Sequence, residues 1–267
     1  MEHLVALENL LVVVPHSGVV IPNEIPLDCL SEAFSTLVQN VDWYTNWLYD
    51  FRDLLGNRHL VFPYCSLVLE ANRHPEILDD SVPLKDVKGR AVYAEGREPD
   101  LKLRAALSAT YLKTFHKTIE DNIAEGAVFL FDGHSTVTAR GVADNQIDLM
   151  NFQHSTLDKN PVYYSPDVYV ETYASELRRR LPEVKVTVNS SEYYTVYGHI
   201  CAAHSVNERG RAGLRVPAFI QETNERLYKN PDRTPNVMAI NRLRRAFAES
   251  IRETLRIVTP TARKEAL

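Results

Sequence analysis

The sequence predicts an α/β fold: three layers, αβα, around a mainly parallel or mixed central sheet. Two patterns carry this reading. Short β-branched runs are apolar on both faces, LLVVVP at 10–15 foremost, and the segments between them repeat apolar residues at helical spacing. Strands buried on both sides need helices above and below them. The 267 residues, 45% hydrophobic and 24% charged with a formal net charge of -5, suit one domain over 1–267 with a sizeable core. The same balance excludes wholesale disorder and a polycation that coats nucleic acid, so the expected partner is a small molecule.

The first strand, 10–15, runs into His16-Ser17-Gly18. Phe34, Leu37, Val41, Tyr44, Leu48, Phe51 and Leu55 then mark one stripe of a helix that Gly56 stops. A second strand is expected over 58–71, broken or bulged at Pro63, and it delivers the chain to Asn72-Arg73. Residues 72–99 are polar and rich in Pro and Gly, which reads as a long functional or mobile loop. Leu103, Leu107, Tyr111, Phe115, Ile119 and Ile123 form an i,i+4 row, predicting a helix over 101–124 with Gly126 as its cap. A third strand at 127–131 leads into Asp132-Gly133-His134-Ser135. Ser165-Pro166 reads as an N-cap followed by proline at the first helical position, with Val170, Tyr173, Leu177 and Leu181 facing inward. Strands at 184–189 and 214–221 follow, the latter ending at Glu222. A last helix over 235–258 turns Ile240, Leu243, Phe247, Ile251 and Leu255 to the core, and the tail after Thr259 is expected to fray.

No apolar run reaches the roughly 18 to 20 residues of a bilayer span, and the first eighteen residues carry acidic groups where a signal peptide is basic. A cytoplasmic protein without membrane association is therefore expected. Cys29, Cys65 and Cys201 are odd in number and lack CxxC spacing, which argues against a disulfide framework and a thiolate zinc site.

Ligands of parallel sheets bind beyond the carboxyl ends of the strands. The polar residues placed there are His16, Asn72-Arg73, Asp132, His134 and Glu222. One histidine at a strand end is commonplace in a core. Two of them, His16 and His134, each just past a buried strand, can converge from opposite sides of one crevice as zinc ligands do. A hydrolytic zinc site takes a third ligand, often a carboxylate, and Asp42, Asp132 and Glu70 are the candidates. Glu222 ends an apolar strand, where an unpaired carboxyl has a raised pKa suited to a general base; a salt bridge to Arg226 or Arg73 is the structural alternative. Arg73 can grip a substrate carboxylate through two parallel hydrogen bonds, and Asn72 adds an amide donor.

Taken in order, VVVPHSGVVIP, VDWYTNWLYD, LEANRHPE, FLFDGHS and AFIQETNERLY resemble the boxes of the N-formylglutamate amidohydrolase family over roughly residues 8–230. The resemblance implies a fold related to zinc exopeptidases and a zinc-dependent hydrolase of small N-acyl amino acids. It further implies that His16, Asp42 and His134 hold Zn2+ (or another divalent metal), that Glu222 is the general base, and that Asn72 and Arg73 bind the substrate carboxylate. Two departures stand out. Glu70 occupies the position where the family has Asp, and NSSEYYTVYGHICAAHS replaces a Gly-Gly segment expected near the substrate, adding His199 and His204. The rival functions are a metal-free small-molecule binding or regulatory protein, which metal content distinguishes, and a nucleophilic hydrolase using Ser17 or Ser135. Neither serine lies in a GxSxG elbow.

Overall fold

The computed structural model describes residues 7–138, 142–153, 162–190, 200–206 and 215–265. Six of the described strands form one sheet. They are β1 (Leu10–Val14), β2 (Arg58–Val61), β3 (Phe129–Thr136), β4 (Gln146–Met150), β7 (Lys185–Val188) and β8 (Ala218–Asn224), ordered β2-β1-β3-β8-β4-β7. A separate antiparallel pair joins β5 (Phe152–Gln153) to β6 (Val162–Tyr163). Every contact in the main sheet is parallel except β4 against β8. The fold is thus a three-layer α/β architecture on an open, mixed and mostly parallel sheet.

Pleating sends alternate residues of β1 into two cores. Leu10, Val12 and Val14 pack with Phe131, Phe219 and the helices α2 (Thr45–Leu48), α3 (Arg52–Leu55), α7 (Asp167–Arg180) and α9 (Val237–Glu265). Leu11 and Val13 face the other layer, built from α5 (Leu101–Leu107), a π-helical turn at Ser108–Leu112, α6 (Lys113–Ala124) and α8 (Ile200–Ala203). Full burial of all five β1 side chains explains why the run is apolar without alternation.

The sequence expectations shift in instructive ways. The predicted helix from Phe34 to Leu55 is broken into α1 (Phe34–Leu37), a 3-10 turn at Val38–Asn40, α2 and α3. Its stripe is nevertheless buried at Leu37, Val41, Leu48, Phe51 and Leu55. The break arises because the Asp42 N–H donates to His16 O (3.2 Å) and Tyr44 takes a left-handed φ of 68°. The expected strand 58–71 ends at Val61, because Pro63 has no N–H to continue the ladder, and 62–71 becomes a turn-rich segment. The polar loop after Arg73 contains α4 (Leu78–Ser81) and is pinned by buried Arg104, whose Nε donates to Val82 O (3.0 Å) and Nη2 to Leu78 O (2.6 Å). In the 101–124 helix the π turn inserts one residue, so Leu112 rather than Tyr111 is buried.

Strand β3 continues through His134 to Thr136, where the sequence suggested an end at Phe131. Strand β8 begins at Ala218 and carries on past Gln221 to Asn224, so His134 and Glu222 lie within paired strands instead of beyond them. Strand β4 has no counterpart in the sequence reading. The N-cap of α7 is Pro166, one residue later than expected, and α9 continues to Glu265 where fraying was expected after Thr259. Among the described residues, no helix is long and apolar enough to cross a membrane.

Candidate active site

Because β3 and β8 outrun β1 at their carboxyl ends, His134 and Glu222 stand side by side as cross-strand partners above the point where β1 turns away through Pro15 to His16. Asp42 reaches them from the loop before α2. Its backbone is tied to His16, and Ser135 N–H donates to its Oδ2 (3.0 Å). The two Nδ1 atoms of His16 and His134 lie 3.2 Å apart and are 3.6 and 3.7 Å from Asp42 Oδ2. One donor atom from each of these three residues falls within 4.8 Å of the others.

The opposite edge of each ring meets a carboxylate. His16 Nε2 lies 2.5 Å from Glu70 Oε1, and His134 Nε2 lies 2.9 Å from Asp132 Oδ1. A carboxylate only accepts, so each Nε2 carries the hydrogen, and each neutral ring turns its Nδ1 lone pair inward. In that neutral form two imidazole lone pairs and a carboxylate oxygen face one point, which is a donor set suited to a divalent cation. Without a cation, protons meet the same demand. Burial lowers the pKa of His16, but the Glu70 charge and the hydrogen bonds to Asp42 and Glu70 outweigh it and push the value up to about 9. His134 is raised well above its ordinary value in the same way, burial being overcome by Asp132. Asp42 is held far below the usual carboxylate range, since its hydrogen bonds to the two rings outweigh desolvation.

Glu222 behaves oppositely. Burial, only partly offset by His134, pushes its pKa up to about 8, and among the described residues its Oε2 has no hydrogen-bond partner. Arg226, offered by the sequence as a salt-bridge partner, sits on the following 3-10 turn, where its backbone N–H donates to the capping Asn224 Oδ1 (2.9 Å). Asn72 is fully buried: its Oδ1 accepts Cys201 N–H (3.1 Å), and its Nδ2 lies 3.3 Å from His134 Nε2. Arg73 is half-buried beside it, with Nη1 donating to Asn72 O (2.9 Å).

Asp132 and Glu70, candidates for the third ligand on sequence alone, stand behind the rings and leave the front to Asp42. The strand period could have indicated this for Asp132, since residues i and i+2 share a face and Asp132 must neighbour His134. Nothing in the local sequence marks Tyr49, whose buried hydroxyl donates to His134 O (2.7 Å) and meets Thr223 Oγ1 (2.8 Å). His204 is bonded to His116 Nδ1 (3.0 Å) and Glu120 Oε1 (3.2 Å). His199 is outside the described residues. The three cysteines are free thiols, Cys65 and Cys201 buried.

The family model described as N-formylglutamate amidohydrolase matches residues 8–229. The chain belongs to the N-formylglutamate amidohydrolase family. An N-formylglutamate deformylase from Pseudomonas aeruginosa is 28% identical over 142 residues, a match covering 47% of this chain. The match spans about half of that curated relative's length, 51%. A crystal structure of N-formylglutamate amidohydrolase from Ralstonia eutropha JMP134 superposes with a TM-score of 0.71 at 17% identity, covering 94% of each chain. A gene product of Agrobacterium tumefaciens gives a TM-score of 0.63 at 16% identity, covering 91% of this chain and 89% of its own. These two solved structures share the fold with this member of the N-formylglutamate amidohydrolase family.

Proposed function

We propose that the chain is a metal-dependent amidohydrolase that cleaves the amide of a small N-acyl amino acid, N-formylglutamate or a related carboxylate, with His16, Asp42 and His134 holding Zn2+. The observation that carries this reading is the convergence of the Nδ1 atoms of His16 and His134 and Oδ2 of Asp42, 3.2 to 3.7 Å from one another, beside a buried carboxyl whose pKa is pushed up to about 8. A bound divalent ion supplies Lewis acidity to water and to an amide carbonyl. Glu222, set opposite His134, takes a proton from the attacking water and returns it to the departing amine. A carboxyl raised by burial to about 8, close to the working pH, serves both transfers. Arg73 takes the substrate carboxylate through its planar fork, with Asn72 fixing the backbone that presents it. Such anchoring can lower the barrier by several kcal/mol, by orienting the acyl group toward the three acceptors.

The test is metal content of protein purified without added zinc, with hydrolysis of N-formyl, N-acetyl and N-succinyl amino acids followed with and without chelator. Bound zinc and chelator-sensitive cleavage are expected. Protein that holds no metal and gains no activity from added zinc would overturn the reading in favour of a metal-free binding protein. Chelator-insensitive cleavage would revive Ser17 or Ser135 as nucleophile.

A further inference from the structure

His204, which follows α8, meets His116 of α6 in a second pair of imidazoles. Their facing nitrogens, His204 Nε2 and His116 Nδ1, are 3.0 Å apart, and the ring centroids are 5.2 Å apart. On its far edge His204 Nδ1 lies 3.2 Å from Glu120 Oε1. A carboxylate only accepts, so His204 carries its hydrogen on Nδ1 and turns the Nε2 lone pair to His116. His116 is 6% exposed, and among the described residues its buried Nε2 has no hydrogen-bond partner, while the Ala71 and Arg73 carbonyls beside the ring favour its charged form. A neutral imidazole has one hydrogen for these two edges. On Nδ1 it serves His204 and leaves Nε2 an orphan; on Nε2 it leaves two lone pairs face to face. A second proton would satisfy both edges, but burial, with His204 and His74 nearby, pushes the His116 pKa down to about 3. His204 is lowered too, since burial, joined by Arg215, outweighs Glu120 and Asp132.

We propose that His116 Nδ1 and His204 Nε2 form a second divalent-cation site, suited to zinc or a similar transition metal that favours imidazole, which clamps α8 to α6. Two nitrogens that are each about 2 Å from one ion stand about 2.8 Å apart at a right angle and about 3.3 Å apart at the tetrahedral angle. The observed 3.0 Å falls between these. A cation there resolves the conflict at His116, because Nδ1 gives its lone pair to the ion and the hydrogen is free for Nε2. Glu120 stands behind His204 as carboxylates stand behind ligating histidines. Water completes the shell of a site with two protein ligands, so it fills after the site formed by three residues. The clamp bears on the substrate side: Cys201 of α8 donates its N–H to Asn72 Oδ1 (3.1 Å) and its Sγ–H to Ala71 O (3.5 Å). Both rings are neutral above their ordinary value of 6.5, so binding here releases no proton, unlike binding at His16 and His134.

The experiment titrates zinc into the metal-free full chain as wild type, His204→Ala, His204→Gln and Glu120→Gln, counting bound equivalents by equilibrium dialysis at about pH 7 and about pH 8. Expected are two equivalents in wild type and one in each His204 variant. Glu120→Gln should keep both but hold the second about 10- to 100-fold more weakly. In wild type the second equivalent should bind equally well at both pH values, while the first weakens at the lower one. 15N NMR of wild type should show the His116 hydrogen on Nε2 once the second equivalent is bound. If His204→Ala does not fold, His204→Gln carries the same test. One equivalent in wild type, or the same number in wild type and the His204 variants, would overturn this inference and leave the site at His16, Asp42 and His134 standing. No bound zinc in wild type would overturn both.

Discussion

Replacing Glu222 by Gln keeps the shape of the side chain and removes its ionisation, and the consequence for stability can be worked out before any activity is measured. In the folded, metal-free chain Glu222 keeps its proton to about pH 8, whereas an unfolded glutamate loses it near 4.5. Between those values the folded state binds more protons, so stability falls as pH rises, by at most about 1.4 kcal/mol per pH unit. His16 and His134, both raised, are protonated in folded and unfolded chains below their ordinary value of 6.5 and are silent there. Glu70, pulled down to about 2 by His16 against the cost of burial, is silent above the range in which unfolded carboxylates titrate. His59, His116 and His204, all lowered by burial, do titrate in this window, but they are common to both proteins and cancel in the difference. Glu222→Gln should therefore gain about 2 kcal/mol on wild type between about pH 5 and about pH 6.5. Urea unfolding of chelator-treated protein at several pH values measures it. A difference that stays flat across the window would show that Glu222 ionises normally, and its assignment as the buried base would fall. The same variant should keep its zinc and lose turnover by about 10² to 10⁴.

Three further outcomes follow from the same geometry. Arg73→Ala should raise KM for carboxylate substrates by about tenfold or more with kcat changed little, because it removes a charge-assisted anchor and leaves the acceptors in place; an unchanged KM in steady-state kinetics would count against it. Zinc affinity should weaken as pH falls below about 9, since two rings that prefer to be protonated must give up those protons to the ion; competition titrations at two pH values check this, and a pH-independent affinity would remove His16 as a ligand. Gly133→Ala would place a Cβ 2.5 Å from Tyr49 Cδ2, inside the ring that holds His134 O, and should cost about 1 to 3 kcal/mol, visible as a lowered Tm.

Hydrophobic patterning made the layers legible because burial on both faces leaves a mark that survives local breaks in the backbone. Leu37, Val41, Leu48, Phe51 and Leu55 all point inward although the helix they implied exists only as fragments. The break itself was not legible. It depends on a hydrogen bond between Asp42 N and His16 O, twenty-six positions apart in sequence, that competes with the helical pattern. The same bond brings Asp42 to the histidines, so the feature that defeats the helix prediction is the one that assembles the site. Strand β4 was hidden for a related reason. Its Gln146 and Asp148 are buried, and they satisfy one another, with Gln146 Nε2 donating to both Asp148 oxygens and Thr187 Oγ1 adding a further bond. Read by pattern, such residues look like surface loop; read by partners, they are interior.

Choosing among Asp42, Asp132 and Glu70 turned on the same distinction. Composition and spacing supply three carboxylates for one place, and only the direction of each imidazole separates them. The two that approach Nε2 fix the rings, and the one that approaches Nδ1 shares their focus. Each ring thus stands between a carboxylate in front and one behind, so exchanging a front residue for a back one cannot be neutral even though both are acidic. Asp42→Asn leaves His16 and His134 oriented and should mainly weaken cation binding. Asp132→Asn leaves Asp42 in place but lets His134 turn its hydrogen inward, against the cation. If both variants bound zinc like wild type, the inward-facing lone pairs would not be what the site is built around.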